Sequence, residues 1–126
     1  MPNLKILLVD DDKDLLRGMS LSLKAGGYDV VSAQDAVSAI STARETKPDL
    51  VVLDIGLPAG DGFVVMERLS NLPTLIPVIV VSAREAEPNR ERALKAGAKA
   101  FFQKPVRRKA FMASVRQALG QAQEED

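Results

Sequence analysis

Polar residues able to carry chemistry stand directly after short apolar runs. Asp10, Asp11 and Asp12 follow KILLV, Asp54 follows LVVL, Ser82 and Ala83 follow PVIVV, and Lys104 and Pro105 follow AFFQ. If the first and third runs are neighbouring strands, their ends lie ~5 Å apart, and at least two of the leading aspartates share a small pocket with Asp54. Carboxylates that close repel, so either one keeps a proton or a cation sits among them. A hard dication with few protein ligands and several waters suits such a set, which means Mg²⁺ or Mn²⁺. A lysine and a hydroxyl on the other flank suit a phosphoryl group. Metal and ammonium neutralise its oxygens, and Ser82 donates a hydrogen bond. One carboxylate could itself be the nucleophile, giving an aspartyl phosphate.

Five elements of one kind and five of another must position these groups. The runs Lys5–Val9, Leu50–Leu53 and Pro77–Val81 are continuous and rich in Val, Ile and Leu, as in strands buried on both faces of a parallel sheet. Tyr28–Ser32 alternates and Ala100–Gln103 is short, which suits strands nearer the edges. Helical spacing lies between them. Leu15, Leu16, Met19 and Leu23 form one stripe, stopped at Gly26-Gly27. Asp35 caps a second helix with Ala36, Ile40 and Ala43 inward. A third carries Phe63, Met66 and Leu69. A fourth begins near Pro88, holds Ala93 and Leu94 and ends at Gly97, and a fifth carries Phe111, Val115 and Leu119. Strand and helix alternating five times predict an open, doubly wound α/β fold. Its site belongs at the carboxyl ends of the strands.

Length and composition narrow the chemistry. The 126 residues predict one domain spanning 1–126, with a core over about 4–120 and a polar tail at 121–126. Seventeen basic and 17 acidic residues cancel, which argues against a general nucleic-acid or membrane surface. With no Cys and no His there is no disulfide, thiol nucleophile, imidazole base or internal phosphohistidine. No run approaches the ~18 apolar residues of a membrane span, and no export signal is visible, so the cytoplasm is the expected location.

Taken in order, ILLVDDD, PDLVVLDIGLPAGDG, PVIVVSA and ALKAGAKAFFQKPV closely resemble the receiver domain of two-component response regulators, over the whole length. The resemblance implies a flavodoxin-like sheet of strand order 2-1-3-4-5. It implies Asp54 as phosphoacceptor and Mg²⁺ held by Asp11, Asp54 and the Gly56 carbonyl, with Asp10 helping through water or hydrogen bonds. Lys104 pairs with the acceptor or its phosphoryl oxygen, across a cis Lys104–Pro105 bond. Ser82 is the switch hydroxyl and Phe101 the switch aromatic. The partners implied are a histidine kinase or histidine phosphotransfer protein as donor, and an effector protein or fused output domain. The domain itself is a phosphoacceptor that transfers to itself and slowly hydrolyses the product. It is not a turnover enzyme. Phe101 stands where many relatives have Tyr, so any coupling there works by packing; on a short edge strand its ring is expected to be partly covered. Gly56 and Arg84 occupy positions that tune phosphoryl lifetime in the family.

Blander readings stand beside these. Asp12 is better read as a helix cap than as a ligand, and Asp61-Gly62 as a turn plus helix start. Arg107, Arg108 and Lys109 read as a solvated face that opposes the helix dipole, or as a partner surface. A Mg²⁺-dependent aspartyl-phosphate hydrolase of the haloacid dehalogenase type is the enzyme alternative. It needs a second Asp two positions after the nucleophile, where Gly56 stands. A degenerate receiver acting only as an interaction module would not need the full set of Asp10, Asp11, Asp54, Ser82 and Lys104.

Overall fold

The computed structural model describes residues 3–57, 62–83 and 86–121; Asp61, Arg84 and the tail beyond Gln121 lie outside the described residues. Ten elements alternate: β1 (Lys5–Val9), α1 (Lys13–Ala25), β2 (Asp29–Ala33), α2 (Ala36–Thr46), β3 (Leu50–Asp54), α3 (Gly62–Ser70), β4 (Val78–Ser82), α4 (Ala86–Lys95), β5 (Ala100–Gln103) and α5 (Arg108–Ala118). The strands form one parallel sheet in the order β2-β1-β3-β4-β5. This is the doubly wound fold expected from the sequence.

The two faces of the sheet follow from the period of two along each strand. Leu7, Val9, Val51, Leu53, Val80 and Phe101 point to the side covered by α2, α3 and α4. Ile6, Leu8, Leu50, Val52, Ile79 and Val81 point to the side of α1 and α5, against Leu16, Leu23, Phe111 and Val115. Burial on both sides is why β1, β3 and β4 are continuous apolar runs.

The ladder runs one residue further than the apolar runs suggested. Tyr28 is not part of β2, because its N–H closes the end of α1 on the Leu23 carbonyl at 3.1 Å. Pro77 has no N–H to offer; its carbonyl accepts from Val51 at 3.0 Å and β4 begins at Val78. Asp54 and Ser82 are therefore the last residues of β3 and β4, held in register against Val81 and Gln103.

Helix starts follow simple chemistry. The Asp12 carboxylate accepts from the N–H groups of Asp14 and Leu15 at 3.0 and 3.1 Å, and Asp35 accepts from Ser38 N–H at 2.8 Å. Helix α4 begins at Ala86, so Pro88 sits in its first turn, where a missing N–H costs nothing. Of the apolar pair expected to hold this helix, Ala93 is buried and Leu94 is 44% exposed. Among the described side chains, two arginines add to the attachment. Arg90 lies over the Phe101 ring at 5.7 Å, and Arg92 stacks on Phe63 at 3.8 Å.

Candidate functional site

The order of strands reverses between β1 and β3, and that switch opens a crevice at their carboxyl ends. Asp10 follows β1 and Asp54 ends β3, and both are buried; Asp11 is exposed. One carboxylate oxygen from each of the three lies within 4.8 Å of the others.

Each buried carboxylate is held at both oxygens. Asp10 Oδ1 accepts from the Asp12 N–H at 2.9 Å, and Asp54 Oδ1 accepts from the Gly56 N–H at 2.8 Å. The Lys104 ammonium bridges the opposite oxygens, donating to Asp10 Oδ2 at 2.7 Å and Asp54 Oδ2 at 3.3 Å. The tighter contact is to Asp10, whereas the resemblance pairs Lys104 with Asp54. The ammonium is shared between the ends of two strands.

Charge balance follows from that geometry. Burial pushes the Asp10 carboxyl above its ordinary value, against the Lys104 hydrogen bond and the Asp12 N–H, while the Asp54 charge adds to the rise. For Lys104, burial works against the charge. The hydrogen bond to Asp10 and the charges of Asp54 and Asp10 outweigh it, so the ammonium is held above its ordinary range. Three carboxylates against one ammonium leave an excess of two negative charges. The donors are all hard oxygens, two of them on buried carboxylates, and already converged. That set fits a divalent cation such as Mg²⁺ better than a soft metal.

Ser82 is buried at the end of β4, next to β3, and its carbonyl accepts from the Lys104 N–H at 2.8 Å. The Lys104–Pro105 peptide is cis. The two phenylalanines of β5 part as alternation demands, but the coverage differs from expectation. Phe101 is only 4% exposed, because α4 lies over it and Arg90 covers its ring. The partly covered ring is Phe102, which packs edge-on to Phe111 at 6.0 Å on the other face.

Gly62 belongs to the site's scaffold, although its dipeptide reads as a turn. Its N–H donates to the Ile55 carbonyl at 3.1 Å. A Cβ there would lie 2.3 Å from Ile55 Cα and 3.0 Å from the Asp54 carbonyl oxygen. The start of α3 therefore presses on the backbone that carries Asp54, at a distance only glycine permits. The one sequence signal was the Gly itself, placed after an Asp within a few residues of a strand end.

Comparison with known proteins agrees with this architecture. The family model described as "Response regulator receiver domain" matches residues 6–116. The transcriptional regulatory protein PrrA of Mycobacterium leprae is 40% identical over 101 residues, which is 80% of this chain and 43% of that protein. The alkaline phosphatase synthesis transcriptional regulatory protein PhoP of Bacillus subtilis is 34% identical over 117 residues, 93% of this chain and 49% of that one. The chain thus spans about half the length of these curated relatives. A CheY-like response regulator receiver domain protein from Methanospirillum hungatei superposes with a TM-score of 0.87 at 28% identity, covering 94% of both chains. On sequence and on fold alike, this chain belongs to the response regulator receiver domains, the signalling switches of two-component systems.

Proposed function

We propose that this receiver accepts a phosphoryl group on Asp54 from the phosphohistidine of a histidine kinase or histidine phosphotransfer protein, with Mg²⁺ held by Asp10, Asp11, Asp54 and the Gly56 carbonyl. The observation that carries the reading is the convergence of three carboxylates within 4.8 Å beside an ammonium they must share. The donor lies outside these 126 residues, which contain no His.

An Asp54 carboxylate oxygen attacks phosphorus, and the bond from phosphorus to the donor imidazole nitrogen breaks. Its electron pair goes to that nitrogen. A proton on the ring's other nitrogen lets the imidazole leave neutral, and an acyl phosphate remains on Asp54. When bound, Mg²⁺ supplies positive charge to the transferring oxygens. Gly56 N–H orients Asp54 through Oδ1. Lys104 stands 3.3 Å from Oδ2, where it can take a phosphoryl oxygen without leaving the crevice. Slow loss of the group to water resets the switch.

Ser82, at the end of the neighbouring strand, is the hydroxyl drawn toward the new oxygens. The shift passes to Phe101 and α4 through packing and alters the surface offered to an effector or a fused output domain. The whole chain acts as one such domain, in the cytoplasm. No helix among the described residues is long and apolar enough to cross a membrane.

Intact-mass measurement after incubation with acetyl phosphate and Mg²⁺ tests the acceptor. Wild type gains one alkali-labile phosphoryl group, and Asp54→Asn gains none. Equal labelling of the two proteins overturns the assignment.

A further inference from the structure

Along α2, on the side turned toward α3, two hollows meet at Arg44. One, of about 630 Å³, has apolar walls that include Pro48, Leu72 and Ile76, with Arg44 and Lys47 beside them. The other, of about 430 Å³, is lined by Val37, Ile40 and Arg68 among others. The larger lies where β3 and β4 begin, at the opposite end of the strands from Asp54.

Three observations set this groove apart. Val37 on its wall is 82% exposed, and Leu75, between the lining residues Thr74 and Ile76, is 81% exposed. Arg44, Lys47 and Arg68 make no ion pair among the described residues. Two acids, Asp49 and Glu45, also line the groove among the described residues; Asp49 accepts from the Lys5 N–H at 2.8 Å, neither acid pairs with the three cations, and the groove keeps a net positive charge. Finally, Lys47 caps α2 with a left-handed backbone, φ 50 and ψ 63, a conformation that favours glycine or asparagine. A lysine stands where a glycine would relax the chain.

We propose that the α2–α3 groove docks an acidic amphipathic helix of a partner protein. Helix α2 is 11 residues long. That is ~16 Å, or about three turns, and it matches a partner stripe at i, i+3, i+4 and i+7. Apolar anchors fill the hollows, and flanking Asp or Glu residues meet the three cations. A small anion would fill one hollow and leave Val37 and Leu75 in water. A second copy of this chain, joined face to face, would set Arg44, Lys47 and Arg68 against themselves.

The probe is a synthetic helical peptide with leucines at that spacing and glutamates between them, titrated into the full chain and followed by amide NMR. Its control carries lysines in place of the glutamates. The acidic peptide shifts amides of α2 and the α3–β4 loop, and the basic one does not. Arg44→Glu with Lys47→Glu weakens binding at least ~10-fold, and added salt weakens it further. Leu94→Asp, on α4, leaves it unchanged. Lys47→Gly separates docking from folding, since it raises the urea midpoint while weakening the peptide. Asp54→Asn binds the peptide like wild type, so failure here is distinct from failure of the phosphoacceptor. The proposal is overturned by absence of shifts, by shifts on another face, or by equal binding of both peptides. Pelleting with phosphatidylglycerol vesicles that Arg44→Glu abolishes, or self-association that Val37→Asp abolishes, would also overturn it in favour of a membrane or a second copy.

Discussion

Lys104 holds two carboxylates at once, and its shorter contact is to Asp10. Lys104→Ala removes the cation that competes with a metal, leaving Asp10 and Asp54 to face each other uncompensated. Mg²⁺ should then bind roughly 3- to 10-fold tighter by calorimetry, while labelling by acetyl phosphate slows; unchanged or weaker Mg²⁺ binding would refute the competition. Gly62→Ala is the sharpest steric test, because its Cβ would overlap Ile55 Cα at 2.3 Å and backbone cannot yield as a side chain can. A loss of about 3 kcal/mol in urea unfolding is expected, with amide shifts around Asp54. The aspartates and Lys104 were legible because each follows an apolar run, and strand ends are where this fold gathers polar groups. The sharing of Lys104 was not, since a strand end locates a Cα and says nothing of how far four methylenes reach. Gly62 stayed hidden for a related reason: Asp-Gly has a local meaning as a turn, which masks a contact with Ile55 seven residues back.

Among the elements, the helix caps were the most legible, since Asp12 and Asp35 act through bonds only two or three residues long. The Asp35 cap also carries a pH signature. The Ser38 N–H and then the Ser38 hydroxyl hold its carboxyl below the ordinary value of 3.8. A depressed folded value means the stabilisation of α2 is fully present above that ordinary value and fades as pH falls through the folded one. The Ser38 amide, followed by NMR, should titrate with a midpoint below 3.8, and Asp35→Asn should abolish the transition. A midpoint at or above the ordinary value would show the cap to be absent in solution. Helix α4 was the least legible element, and its packing explains why. Among its described side chains Ala93 is buried, and Arg90 and Arg92 hold the helix by stacking on Phe101 and Phe63. Arginine on an aromatic ring leaves no apolar periodicity for a sequence to display. That stacking also covers Phe101, which short-edge-strand reasoning left half open.

Across the whole molecule, periodicity sufficed for five βα units, but strand order came through family resemblance, because apolar runs carry no record of their neighbours. If the three acids crowded at the switch between β1 and β3 hold Mg²⁺ as proposed, the domain should be more stable with metal than without. Mg²⁺ at about 100 times its dissociation constant should add roughly 2.7 kcal/mol to unfolding. The melting midpoint should rise accordingly, fall again with EDTA, and respond far less in Asp54→Asn; equal shifts in the two proteins would place the cation elsewhere. The Lys104 bridge has a further consequence for how the chain assembles. It joins residues 94 apart in sequence, so the loop it closes runs from the end of β1 to the end of β5 and takes in α1 to α4. Each strand pairing in the sheet is parallel and non-local, and long closures come at growing entropic cost. An ammonium seated between Asp10 and Asp54 exists only once β5 has joined β4 and β1 has joined β3. A partly folded chain with β1 and β3 paired and β5 undocked therefore holds the acidic cluster without its counter-charge, and on the proposed chemistry it would take up a phosphoryl group more slowly until the last strand is in place.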